Sequence, residues 1–182
     1  MSQNNYNYLI VEFLLKSENH IRGLAKSLGT NQTMIMRKVK ELYDDNVVDF
    51  KQQGKNKVFF LKNTLEAKQY AYIVEMNKVI AIVNKYPLLR RIIELIKQNE
   101  KINMATLFRS YAKAIANKES DIDIYIDTIN SKLKEEIELI DSKISVKIGK
   151  YNKESLLIKE IEKNHVVIKG VELYYDKNKF FS

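Results

Sequence analysis

Residues 24–48 read LAKSLGTNQTMIMRKVKELYDDNVV, and the first part of the fold is decided there. Leu24 and Leu28 stand four apart with the small Ala25 between them, which predicts the buried side of a helix over 21–28. Gly29 follows where the chain must turn sharply, and glycine accepts the positive φ of such turns. Asn31 is a good N-cap, and Ile35, Val39 and Leu42 then recur at helical spacing, so a second helix is expected over 32–45. Asn46, the residue after glycine most tolerant of a left-handed cap, closes it.

Working outward, residues 8–15 predict a preceding helix with Leu9, Phe13 and either Ile10 or Leu14 facing inward. On the other side, 47–51 and 57–61 alternate as two strands around a loop at 52–56, with Gly54 at its tip. The face of the 32–45 helix opposite its apolar stripe carries Gln32, Thr33, Met36, Arg37 and Lys40. These polar, cationic or slender side chains lie near a helix N-terminus, where a recognition helix reaches base edges in the major groove. Lys51, Lys55 and Lys57 flank the hairpin loop, as needed to touch backbone phosphates or the minor groove. The 24–48 stretch resembles the helix-turn-helix of many bacterial and archaeal winged-helix regulators. That resemblance covers about a third of the chain and implies binding to double-stranded DNA.

Residues 64–86 predict one long helix with Thr64 as N-cap, Ala67 at N3, and Leu65, Tyr72, Val79 and Val83 near a heptad spacing. Pro87, the single proline, stops it. Beyond it, helical and strand-like runs alternate. In LFRSYAKAIANKESDIDIYID, residues 107–127, Asp121 and Asp123 alternate with Ile122, Ile124 and Ile126. Period two puts both carboxylates on one face of a strand and the isoleucines on the other, buried face. Two acids so close repel each other, and a divalent metal is the usual remedy.

This segment resembles the signature of the minimal nucleotidyltransferases of the DNA polymerase β superfamily: Gly-Ser, ten residues, Asp-x-Asp. Ser110 and the pair Asp121 and Asp123 keep the spacing, and SYAKxxANKxSDID matches around them. The tail LLIKEIEKNHVVIKGVELYY resembles the last helix and strand of small archaeal members. The resemblance spans about residues 88–175 and implies Mg²⁺ and a nucleoside triphosphate at Asp121 and Asp123 if the site functions. Three departures bear on that. Arg109 and Ala114 stand where the family has glycines, and the following strand at 143–148 offers only Ser145 and Lys147 where a third carboxylate belongs. Asp141 lies upstream, out of the alternation.

Composition bounds the rest. The chain of 182 residues is 45% apolar, enough for a packed core, and has no cysteine, which removes disulfides, thiolate metal sites and cysteine nucleophiles together. No oxidising compartment is required, residues 1–16 lack the features of a signal peptide, and no apolar run is long enough to span a bilayer, so a cytoplasmic location is expected. The net charge is +8, and residues 1–63 carry ten Lys/Arg against six Asp/Glu, a higher charge density than the remainder. That favours a polyanionic partner. His165, after an amphipathic helix, reads as a packing or capping residue, and His20 as a loop residue that is either solvent-exposed or near the backbone of bound DNA.

The expected organisation is α+β: a winged helix-turn-helix at 1–63, a linking helix at 64–87 and a small mixed-sheet nucleotidyltransferase-like domain at 88–182. The expected function is transcriptional regulation on double-stranded DNA, with the second domain catalytically lost and a homodimer formed through the long helix. Two alternatives stand beside it. One is an active Mg-dependent nucleotidyltransferase. The other is an antitoxin-like protein that binds or modifies a partner ribonuclease, as the resemblance implies.

Overall fold

The computed structural model describes residues 5–181 and is α+β. It divides into two compact units, up to Val74 and from Glu75 to Phe180, and the division falls within one helix. Among the described residues no helix is long and apolar enough to cross a membrane.

The first unit contains α1 (Asn5–Leu14), β1 (Asn19–His20), α2 (Ile21–Ser27), α3 (Gln32–Asp44), β2 (Val48–Gln53) and β3 (Asn56–Leu61). Its sheet runs β1-β3-β2, all antiparallel. The local signals explain most of these boundaries. Asn31 Oδ1 accepts the Met34 N–H at 2.8 Å, and Ile35, Val39 and Leu42 are buried. Both helix ends in this turn region use the same device. After α2, Gly29 (φ 60°) donates to Lys26 O and Thr30 to Ala25 O; after α3, Asn46 (φ 62°) donates to Tyr43 O and Val47 to Leu42 O. These paired bonds satisfy carbonyls that a helix end leaves without partners.

Four expectations need correction in this unit. The inward side of α1 is Ile10, Val11 and Leu14, while Leu9 and Phe13 are half-buried, because the helix is rotated from the face its leucines suggest. Leu28 is the C-cap of α2 and only half-buried. The hairpin loop is shorter than 52–56: the strands extend to Gln53 and from Asn56, leaving Gly54 (φ 59°) and Lys55 as the turn. Glycine at the first central position with positive φ is what a type II′ hairpin turn asks for. Finally, His20 is not a free loop residue: it pairs with Val58 in the sheet and its Nδ1 accepts the Gly23 N–H at 2.8 Å, capping α2.

Helix α4 (Leu65–Lys85) starts as its cap predicts: Thr64 Oγ1 accepts the Ala67 N–H at 3.3 Å and donates to Asn46 O at 2.8 Å. Its buried positions are Ala67, Ala71, Val74, Glu75 and Ile82, whereas Leu65 is 70% exposed. Of the expected series, Val79 and Val83 pack half-buried against the core, while Leu65 stands outside the apolar stripe.

In the second unit α5 (Leu89–Gln98) precedes β4 (Ala105–Phe108), α6 (Arg109–Ala112), β5 (Ile122–Asp127), α7 (Ser131–Glu138), β6 (Ile144–Gly149), α8 (Leu156–Lys163), β7 (His165–Lys169) and α9 (Val171–Asn178). The sheet order is β6-β5-β4-β7. Strands β5 and β6 are parallel, as a strand–helix–strand crossover through α7 requires, and the other pairs are antiparallel. One core unites Ile92, Ile96, Leu107, Ile124, Ile126, Val146 and Ile168 with their neighbours. Lys169 Nζ donates to the carbonyls of Lys97 and Asn99 at 2.8 and 2.7 Å, closing the end of α5. Gly170 (φ 73°) starts α9 at a close approach, where a Cβ would lie 2.2 Å from Asn103 O.

The outer strands each give one backbone N–H to a glutamate. Val146 of β6 donates to Glu138 Oε1 at 2.9 Å, and Val167 of β7 donates to Glu75 Oε2 at 3.2 Å. Glu75 is buried and also holds Lys78 at 2.6 Å. His165 packs 4.7 Å from the Tyr174 ring, with Nδ1 against Ile161 O at 3.1 Å, and burial lowers its pKa below the usual histidine value.

A carboxylate site and a cationic cleft

Strand β5 carries Asp123, but not on an open face. Asp123, Ile124, Tyr125 and Ile126 are all buried, while Asp121 lies exposed just before the strand. Successive residues of the strand from Ile122 to Ile126 are buried, so both of its faces are covered along most of its length. Alternation therefore separates two buried faces here, not a wet face from a dry one. Asp123 is 6% exposed, and its neighbour in register on β6 is Ser145, with Lys147 two positions on. Asp141 sits in the turn before β6 and its Oδ1 accepts the Lys143 N–H at 2.9 Å, so it takes no part in the strand.

The partner of Asp123 comes from the strand–helix turn. Arg109 Nη1 lies 2.9 Å from Asp123 Oδ1, while its Nε and Nη2 reach Glu160 of α8 at 2.9 and 3.3 Å. One planar guanidinium thus binds an acid on each of two elements, using the fork that suits arginine to carboxylates. The two acids respond in opposite directions. Burial pushes the Asp123 carboxyl above its usual value despite the Arg109 charge beside it, and Asp121 adds to the rise while Lys147 opposes it. Glu160 is about half exposed, and its bonds to Arg109 hold it below the usual glutamate value.

The backbone at both glycine-like positions is left-handed: Arg109 has φ 58° and Ala114 φ 56°. After α6, Ala114 donates to Tyr111 O at 2.9 Å and Ile115 to Ser110 O at 3.0 Å, the same helix ending found at Gly29 and Asn46. A left-handed non-glycine residue costs roughly 1–2 kcal/mol. The loop is held nonetheless: Lys85 Nζ donates to Ala114 O at 2.6 Å, Tyr86 Oη donates to Ala116 O, and Tyr86 stacks edge-on against buried Tyr111. Ser110 lies half-buried in the four-residue α6.

These residues do not fit a two-metal centre. Asp123 is already bonded to a cation of the chain, Ser145 takes the place of a third acid, and Lys147 adds positive charge. Among the described residues no group of three or more His, Cys, Asp or Glu side chains is placed to hold a metal ion. Glu160 is the participant that sequence reading missed. It lies on the exposed side of an amphipathic helix 51 residues from Arg109, and the one available hint is an arginine where glycine is expected.

In the first unit a cleft of about 680 Å³ lies between α2, α3 and the β2–β3 hairpin. It is lined by the apolar or aromatic Val39, Tyr43, Phe50 and Phe59 and by the exposed Arg22, Gln32, Met36, Lys40, Lys55 and Lys57. Five of the residues expected to touch DNA thus meet around one depression. Thr33 and Arg37 are exposed on α3 but do not line it. Lys51 is paired with Glu18, and Lys57 lies 3.9 Å over the Phe50 ring. Arg22 was missed because it belongs to the helix before the turn. Lys38 points the other way: it is buried and bonded to Glu41 at 2.6 Å.

Residues 90–174 match the family model described as polymerase β nucleotidyltransferase, so this part of the chain carries a nucleotidyltransferase-like domain. Among solved structures, the homodimeric winged helix-turn-helix DNA-binding domain of a possible ArsR-family transcriptional regulator from Mycobacterium bovis is similar at 17% identity. The match covers 44% of this chain and 71% of that one, with a TM-score of 0.36. No curated protein matches the chain.

Proposed function

We propose that this chain is a transcriptional regulator that binds double-stranded DNA through its first unit, and that its nucleotidyltransferase-like domain has lost catalysis. The observation that carries the reading is the cleft lined by Arg22, Lys40, Lys55 and Lys57 beside the exposed face of α3. Four cations around a capped helix with Gln32, Thr33 and Arg37 at its exposed start suit a phosphate backbone flanking a major groove. The hairpin supplies the wing. Loss of catalysis is supported by Ser145 in register with Asp123, which leaves phosphoryl transfer without a third acid to complete a metal shell or accept a proton.

The test is an anisotropy titration with genomic fragments across a range of salt. Arg37→Ala with Lys40→Ala should relax sequence preference and weaken binding by tenfold or more, on the order of 1–3 kcal/mol for Arg37 removed from a base edge together with the loss of the Lys40 contact to a flanking phosphate. No binding at low salt, or full binding by the double variant, would overturn the reading. Transfer of label from a nucleoside triphosphate, abolished in Asp121→Ala, would overturn the loss of catalysis.

A further inference from the structure

We propose that Arg109 is the carboxylate site's own cation: its guanidinium stands where a divalent metal would otherwise be needed and clamps Asp123 of β5 to Glu160 of α8. This rests on the reading that the domain does not catalyse, and goes beyond it by giving the altered site a present task. Asp123 is buried, and a buried carboxylate demands a positive partner. Arg109 supplies it at 2.9 Å and directs its remaining bonded N–H groups to Glu160. A guanidinium holds two acids in one fixed plane, a geometry that the freely rotating donors of a lysine ammonium do not impose. The arrangement holds although Arg109 must adopt φ 58°, so its bonds outweigh an unfavourable backbone. The clamp joins elements that are 51 residues apart in the chain, and the site is thereby closed to an external cation.

The whole chain is melted by calorimetry in EDTA and in millimolar Mn²⁺, as wild type, Arg109→Gly and Arg109→Gly with Asp123→Asn. Glycine relieves the left-handed backbone at φ 58°, so whatever stability this variant loses is a lower bound on what the cation contributes. The wild-type midpoint should be the same in both buffers. Arg109→Gly should melt about 5 °C lower in EDTA, because it strips the buried Asp123 of its half-exposed partner, and regain at least half of that in Mn²⁺. Adding Asp123→Asn should recover part of the loss in EDTA and abolish the response to Mn²⁺. If Arg109→Gly does not fold, Arg109→Lys carries the test, with a midpoint below wild type because an ammonium lacks the planar fork that gives Glu160 two bonds and Asp123 a third. A wild-type shift in Mn²⁺, an Arg109→Gly midpoint equal to wild type or blind to Mn²⁺, or full stability in Arg109→Lys overturns the proposal. A wild-type Mn²⁺ shift without label transfer sinks this inference alone; label transfer sinks the underlying reading.

Discussion

Gly29 in the first unit and Ala114 in the second end their helices by the same two hydrogen bonds and nearly the same φ, 60° and 56°. The first position holds the residue that conformation favours; the second holds one that it penalises. Asn46 and Arg109 repeat the contrast, the one a tolerated left-handed residue and the other not. In the turn around α3, local chemistry and backbone agree. Around α6 the backbone is of the kind glycine serves, while the side chains there answer to something else: a buried acid for Arg109 and a packed loop for Ala114. Such mismatch between local preference and conformation points to a position held by its surroundings.

The largest expected effect lies where left-handed backbone and close approach coincide. Gly170→Ala adds a Cβ 2.2 Å from a backbone oxygen at φ 73°. It should cost about 3 kcal/mol or more, the order of magnitude for backbone strain with a steric clash, read as early melting of the second unit. Next come two mirror substitutions. Gly29→Ala meets nothing within 4 Å, so its cost should be the conformational one alone, about 1 kcal/mol. Ala114→Gly should gain a similar amount, and urea midpoints that move in the same direction for both would dissolve the contrast.

Smaller still is the acid limb of stability. Glu160 has its pKa lowered by Arg109, so its stabilisation is full above the ordinary glutamate value and is lost as pH falls through the lowered folded value. Asp123 is shifted upward by burial and works the other way, favouring the fold below its unfolded pKa and opposing it as pH rises through the folded one. Glu160→Gln should therefore flatten the melting temperature below about pH 4.5, and an unchanged acid limb would count against the Arg109–Glu160 bond. The smallest effect is on DNA. Lys51→Ala should weaken binding less than Lys40→Ala, since Lys51 already has Glu18 as partner, whereas Lys40→Ala should reduce the salt slope by about 1.

The elements around α3 were legible because their signals are local: an Asn that caps three residues on, a glycine and an asparagine at left-handed positions, and three apolar residues on one stripe. The β1 strand was not, since two residues become a strand only by pairing with Phe59 and Val58, some 40 positions later. The rotation of α1 was settled by tertiary packing that its own letters do not encode. In the second unit the Ser110, Asp121 and Asp123 spacing was legible, as was the want of an acid opposite them. The covering of both faces of β5 was not, because alternating Asp and Ile read alike in a strand covered on one face and in one covered on both. The bond from Arg109 to Glu160 depends on how α8 returns to the sheet, which no neighbouring residue announces.

The glutamates that accept the Val146 and Val167 N–H groups sit at the two borders of the β6-β5-β4-β7 sheet. A border strand with unclaimed backbone donors is a template on which another chain can add a strand and begin to aggregate. Here each border has one such donor taken by a carboxylate from a helix of its own unit. An incoming strand would have to displace a charged acceptor, and at Val167 that acceptor is itself buried and tied to Lys78. Glu75 and Glu138 therefore act as stoppers that keep this sheet at its own size.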